Sequence, residues 1–251
     1  MAIKSIPSSE LQKRRPIRQF MHNLSKLAFW LLTDLEIEGQ ENFPPHGPLL
    51  MVGNHFSLVD VMAFVRIAPY PIEFIGGAVT PNTPSFLRWI PRVYGYLPVY
   101  RGTGAQFALK EAEKVLKNHG VVAIFPEGGS HGRMLRPARP GSAFLAARTG
   151  ARILPVGLTN MDMVIEKLGR FNRARVRIRI GKPFGPFNVL GNGRDRSELD
   201  TISHSIMEHI AELIPPEKHG YLSKDPALRA QVTEFPWDHQ SEGEVKGTNV
   251  R

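Results

Sequence analysis

Cysteine is absent from this 251-residue sequence, which excludes a disulfide scaffold, a thiolate nucleophile and any cysteine-built zinc or iron–sulfur site. Acidic residues are in short supply: 23 Asp and Glu stand against 32 Lys and Arg, giving a formal net charge of +9. Such a chain is drawn towards polyanions, whether nucleic acid, an anionic bilayer or a phosphorylated small molecule. The apolar stretch near the N-terminus falls short of the about 20 nearly uncharged residues of a spanning helix, because Arg18, His22, Asn23 and Lys26 interrupt it. The same residues argue against a cleaved signal. No internal repeat, low-complexity tract or linker divides the chain. There is no glycine loop ending in Lys-Ser/Thr and no His/carboxylate cluster with metal spacing, so neither cofactor nor metal is expected. A nucleic-acid role would rest on charge alone, without interleaved aromatics, so no nucleic-acid partner is expected either.

What is present begins with 42% hydrophobic residues, ample for a core. From Pro16, suited to a first helical position, Ile17, Phe20, Met21, Leu24, Leu27, Ala28 and Leu31 recur at helical spacing on one face. This helix either packs on the core or lies in a membrane interface; the basic run before it, with Phe29 and Trp30, suits the second reading. Apolar runs at 49–52, 72–75, 97–100, 121–125 and 153–157 read as buried strands. Residues 175–180 read as a half-exposed strand, with Val176, Ile178 and Ile180 facing one way and three arginines the other. Helical spacing recurs at about 105–117, 142–148 and 199–213; the last is opened by Ser197-Glu198-Leu199-Asp200, which has the form of a capping box, and stopped by Pro215-Pro216. Strands alternating with helices predict an α/β fold, a single layered domain with a central mostly parallel or mixed sheet flanked by helices. The expected divisions are an amphipathic helical segment over 1–35, the main domain over 36–216, and a polar, partly disordered tail over 217–251 with Phe235 and Trp237 as its anchors.

Three expected strand ends carry polar residues, and open α/β sheets bind ligands at the carboxyl ends of their strands. Asn54-His55-Phe56-Ser57-Leu58-Val59-Asp60 follows the first strand. If a helical turn starts near Ser57, Asp60 folds back onto one ring nitrogen of His55, fixing the tautomer while the other nitrogen faces a substrate. Such a pair is a general base without a protein nucleophile. Tyr100-Arg101-Gly102 presents a guanidinium suited to phosphate. Phe125-Pro126-Glu127-Gly128-Gly129-Ser130 offers glycines through which backbone can approach a ligand. Gly128-Gly129-Ser130-His131-Gly132 also satisfies G-x-S-x-G, but a nucleophile elbow needs a helix directly after the serine, and Gly132, Pro137 and Pro140 hold the chain in a loop.

Taken in order, Asn54-His55-x-Ser57-x-x-Asp60, Leu97-Pro98-Val99-x-Arg101-Gly102, Phe125-Pro126-Glu127-Gly128 and Ile153-Leu154-Pro155-Val156 resemble the four blocks of the glycerolipid acyltransferase family, whose best-known branch is the 1-acyl-glycerol-3-phosphate acyltransferases. The resemblance implies that His55 is the general base, that Asp60 supports it, and that Arg101, Glu127 and Gly128 help to bind a glycerol phosphate. An arginine that often follows the Glu-Gly in relatives is missing here, and Arg133, Arg136 or Arg139 is left to supply its charge; Arg139 sits where relatives tend to carry a lysine. A lysine common after the second strand is replaced near Gly77. The resemblance further implies acyl transfer from acyl-CoA or acyl carrier protein, as co-substrate, to a lysophospholipid, with lysophosphatidic acid the first choice. It also implies a peripheral enzyme on the cytoplasmic face of a membrane surface. Another lysolipid or a glycolipid is the alternative acceptor; a catalytically silent lipid- or phosphate-binding protein is the alternative class.

Overall fold

The computed structural model describes residues 14–77, 89–99, 105–129, 132–170, 172–187 and 195–232. Pro16 lies in the first turn of helix α1 (Arg15–Leu32), which runs directly into strand β1 (Thr33–Glu38). There follow β2 (Leu49–Gly53), α2 (Val59–Ile67), β3 (Glu73–Gly77), α3 (Trp89–Tyr94), β4 (Leu97–Val99), α4 (Ala105–Lys117) and β5 (Val121–Ile124). The chain continues through α5 (Gly141–Thr149), β6 (Arg152–Thr159), α6 (Met163–Leu168), β7 (Ala174–Ile180), α7 (Arg196–Ala211) and the short α8 (Pro226–Ala230).

The strands form one mixed sheet in the order β1-β7-β6-β2-β5-β3-β4. Every neighbouring pair is parallel except β6 and β7. Central β2 is buried along its whole length, as its unbroken Leu-Leu-Met-Val run requires of a strand covered on both faces. Helices α1, α2 and α6 cover one face, around Met51, Phe64, Leu154 and Ile178; α4, α5 and α7 cover the other, around Leu50, Val52, Leu116 and Ile206.

Three expectations change. Strand β1 was not foreseen: its acidic residues alternate with Leu35 and Ile37, and they meet the outward arginines of β7, with Glu36 against Arg177 at 2.7 Å and Glu38 against Arg179 at 3.0 Å. Helix α7 is capped by Asp195, whose Oδ1 accepts from the Ser197 amide at 2.9 Å, so Ser197 is inside the helix rather than its cap. Residues 217–223 are packed on the domain, whereas most of 224–231, including the short α8, is exposed. Leu135 accepts from the amide of Tyr221 and donates to the carbonyl of Lys218, while Tyr221 and Leu222 lie against the α4/α5/α7 core. Residues 233–251, with Phe235 and Trp237, lie outside the described residues.

Helix α1 resolves its two readings by dividing them. Its inward stripe is Arg18, Met21, Ser25 and Phe29, whereas Ile17, Phe20, Leu24, Leu27 and Leu31 face outward, together with Trp30. Arg18 is buried because Glu73 at the start of β3 receives its guanidinium in a two-pronged ion pair, Nη2 to Oε2 at 2.8 Å; its Nε donates to the carbonyl of Tyr94. Among the described residues no helix is long and apolar enough to cross a membrane.

Candidate active site

Strand β2 ends at Gly53, where the chain passes so close to its neighbours that a Cβ would lie 2.8 Å from the Val156 carbonyl oxygen and 2.9 Å from the Phe64 ring. Asn54, fully buried, fixes the next step: its side-chain amide donates to the Leu158 carbonyl at 2.9 Å and accepts from the Leu158 amide at 2.8 Å. This extends the β2–β6 pairing by one side chain and aims His55 away from the sheet. Sequence reasoning gave Asn54 no role, although a polar residue directly after a buried strand is the available signal.

His55 and Asp60 meet as expected. The Nδ1 of His55 lies 3.0 Å from Oδ2 of Asp60, and the same oxygen accepts from the amides of Phe56 and Ser57, each at 2.7 Å. The carboxylate thus shapes the loop that carries the histidine as well as holding the ring. Burial pushes the Asp60 carboxyl above its ordinary range, while the bonds from His55 and the two amides pull the other way. The imidazole stacks on Phe125, centroids 4.1 Å apart and nearly parallel, and Phe125 is in turn braced by Phe64. With the proton on Nδ1 directed at Asp60, Nε2 is the nitrogen that takes a proton.

Glu127 is brought to the same place. It is 1% exposed, with Oε1 accepting from the His55 amide at 2.9 Å and Oε2 from the Arg136 amide at 3.1 Å. Each oxygen accepts from a backbone amide, so Glu127 braces the His55 loop against the loop after β5. Burial pushes its carboxyl up to about 8, against the opposing pull of those two amides and the Arg136 guanidinium. Arg136 is itself buried and donates through Nη2 to the Gly129 carbonyl at 2.9 Å. Sequence reasoning could not rank it above Arg133 and Arg139.

Gly128 has φ +77°, and a Cβ there would lie 2.7 Å from Cδ of Arg139. Glycine is therefore required both by the backbone and by the arginine side chain that crosses it. Arg139, held by its amide on the Pro126 carbonyl at 2.8 Å, is exposed beside this turn. Arg101 and Ser130 lie outside the described residues. The chain from 132 to 140 contains no helix; the next one, α5, begins at Gly141, so the geometry of a nucleophile elbow is missing there. Among the described residues no three His, Asp or Glu side chains converge as a metal site.

An α/β sheet with a carboxylate-held histidine at the end of its central strand has the geometry of enzymes that activate a hydroxyl by a general base. Comparison with known proteins carries this further. Residues 34–159 match the family model described as Acyltransferase, and the chain belongs to that family, among the glycerolipid acyltransferases. It is 30% identical over 151 residues to a 1-acyl-sn-glycerol-3-phosphate acyltransferase of Borreliella burgdorferi, covering 59% of this chain and 60% of that protein. It is 27% identical over 226 residues to the enzyme of the same name from Saccharomyces cerevisiae, covering 87% and 71%. The crystal structure of the 1-acyl-sn-glycerophosphate acyltransferase from Thermotoga maritima superposes with a TM-score of 0.59 over 80% of each chain, at 25% identity.

Proposed function

We propose that this O-acyltransferase acylates the free hydroxyl of lysophosphatidic acid, giving phosphatidic acid for phospholipid synthesis, at the surface of a membrane. The observation that carries the reading is the His55–Asp60 pair, braced by Phe125 and Glu127 at the end of β2 in a family of acyltransferases. Nε2 of His55 removes the proton from the acceptor hydroxyl as its oxygen attacks the thioester carbonyl. The tetrahedral intermediate collapses, the C–S bond breaks, and the imidazolium returns its proton to the departing thiolate. Asp60 holds the ring and offsets the positive charge it acquires. The donor is an acyl thioester on coenzyme A or acyl carrier protein. No residue of the enzyme is acylated.

Arg139 beside Gly128, with Arg101 two positions past β4 in the sequence, is assigned to the acceptor phosphate. A guanidinium presents a fork of donors to such an anion. The acceptor carries one acyl chain and lives at the bilayer surface, and α1 offers that surface its outward row of Ile17, Phe20, Leu24, Leu27 and Leu31, with Arg14, Arg15 and Lys26 on the same helix or its first turn. On this reading the enzyme works peripherally, on the cytoplasmic leaflet. The test is mass spectrometry of the lipids formed when the protein meets a panel of lysolipids and acyl thioesters. Phosphatidic acid from lysophosphatidic acid is expected. Product from a different lysolipid alone would move the acceptor assignment, and no acylated product from any pair would overturn the reading.

A further inference from the structure

The strand register shows that one side of the sheet rises well past the active site. Gly53, the last residue of β2, is level with Val156 of β6, which is level with Ile180 of β7. Strand β6 continues to Thr159, opposite Arg177, and β7 begins at Ala174, opposite Thr33 of β1. At about 3.3 Å per residue the Ala174 end stands roughly 20 Å beyond the level of Gly53. The tip of this β6–β7 hairpin is α6, and Arg173, just before β7, ties the hairpin to the C-terminal end of α1: its Nη2 donates to the carbonyls of both Trp30 and Thr33.

Helices α1 and α6 pack on the same face of the sheet, through Met21 and Phe29 and through Met161 and Val164. On their outward sides both leave hydrocarbon uncovered. Trp30, Leu31 and Leu27 are exposed at the end of α1, and Ile165 and Leu168 are exposed on α6, one helical turn apart. Around the tip stand Lys167, Arg170, Arg173 and Arg175, against Asp162, Glu166 and Asp34; Arg170 pairs with Glu166 and Arg173 with Asp34. The cations outnumber the anions, and Lys26 of α1 adds to them. An apolar patch under a cationic rim matches an anionic bilayer, in which the rim meets headgroups and the patch enters the acyl boundary.

We infer that the β6–β7 hairpin tip, through Ile165 and Leu168, is a second membrane contact beside α1, and that the two together fix the enzyme's tilt on an anionic bilayer with the α1/α6 face of the sheet towards it. The inference rests on the membrane reading above. One amphipathic helix leaves the protein able to rock about its axis; a second contact offset from that axis fixes the tilt.

The absence of cysteine makes the test clean. Single variants Ile165→Cys, Leu27→Cys and, on the opposite face of the sheet, Lys117→Cys each carry one polarity-sensitive fluorophore, mixed with vesicles of phosphatidylglycerol and phosphatidylcholine. Labels at 165 and 27 are expected to blue-shift and brighten, the label at 117 to stay as in buffer, and the shift at 165 to fade on vesicles of phosphatidylcholine alone. A silent label at 165 with a shifted label at 27 overturns the hairpin contact and leaves membrane binding by α1 standing. Silence at both positions overturns the membrane reading with it. A shift at 165 that persists without charge dependence, or that follows protein concentration in the absence of vesicles, overturns the anionic bilayer as the occupant. As a second measurement, Ile165→Asp with Leu168→Asp is expected to weaken vesicle affinity by roughly tenfold or more.

Discussion

Around His55, the carboxylates of Asp60 and Glu127 are each about 1% exposed, whereas along α1 the rings of Phe20 and Trp30 stand 65% and 69% exposed. Each region departs from the usual partition of polar and apolar groups, and the compensation differs. Buried carboxylates are costly unless hydrogen-bonded, and here three backbone amides of residues 55–57, the Arg136 amide and the His55 ring supply bonds from within the chain to both oxygens of Glu127 and to Oδ2 of Asp60, whose Oδ1 is buried without one among the described residues. The apolar row on α1 has no such answer among the described residues. Internal compensation closes the site on itself; under the proposed function it is the bilayer that covers the outward row of α1. The inward stripe of α1 resembles the active-site loop, since Arg18 is buried against Glu73 and Tyr94.

Substitutions in the two regions should therefore fail differently. The largest effect is expected at the base: His55→Ala lowers turnover by roughly 10²–10⁴ with the fold intact, measured as kcat alongside a thermal melt. Near-normal turnover in a folded variant would remove His55 from the chemistry. Next, Arg18→Ala leaves Glu73 buried without its partner and should destabilise the protein by about 3–5 kcal/mol in chemical denaturation, whereas replacing both by apolar residues of similar volume recovers most of it. Glu127→Gln puts an amide nitrogen against one of two donating backbone amides. It should lower kcat by about 10–100-fold while changing the acceptor KM little. A loss confined to acceptor KM would return Glu127 to a substrate contact.

The smallest effects sharpen the contrast. Phe20→Gln with Leu27→Gln should shift stability by only about 0.5 kcal/mol or less yet reduce co-sedimentation with anionic vesicles. A large loss of stability would mean that this row is covered within the protein. Glu127 also carries a pH signature. Its carboxyl is raised from its ordinary value of 4.5 to about 8 in the folded protein, so between those pH values the folded state holds a proton that the unfolded state has lost. Stability falls as pH rises through that window, and Asp60, also raised, contributes in the same sense. The Glu127→Gln variant should show a flatter decline of Tm from pH 5 to pH 8.

The sequence made the central strands legible because a strand covered on both faces must be apolar throughout, as in β2, and β7 was legible because one covered face imposes alternation. Strand β1 was hidden because Asp34, Glu36 and Glu38 look like a loop until the arginines of β7, some 140 positions away, are placed opposite them. The pairing of His55 with Asp60 was legible because both partners sit in one short local segment. The burial of Glu127 was not, since it depends on Arg136 and the His55 amide closing over it. The two stripes of α1 could not be told apart by spacing alone: the apolar row is the outer one because Glu73 draws Arg18 inward.

Direct transfer through a His55–Asp60 base, with no acylated enzyme, is open to intact-protein mass spectrometry. The protein is mixed with a long-chain acyl-CoA, first alone and then with lysophosphatidic acid, while free thiol and lipid products are followed. An unchanged protein mass throughout, with thiol and phosphatidic acid released together only after the acceptor is added, is the predicted result. An acyl adduct on the protein that forms without acceptor and disappears as phosphatidic acid accumulates would contradict it.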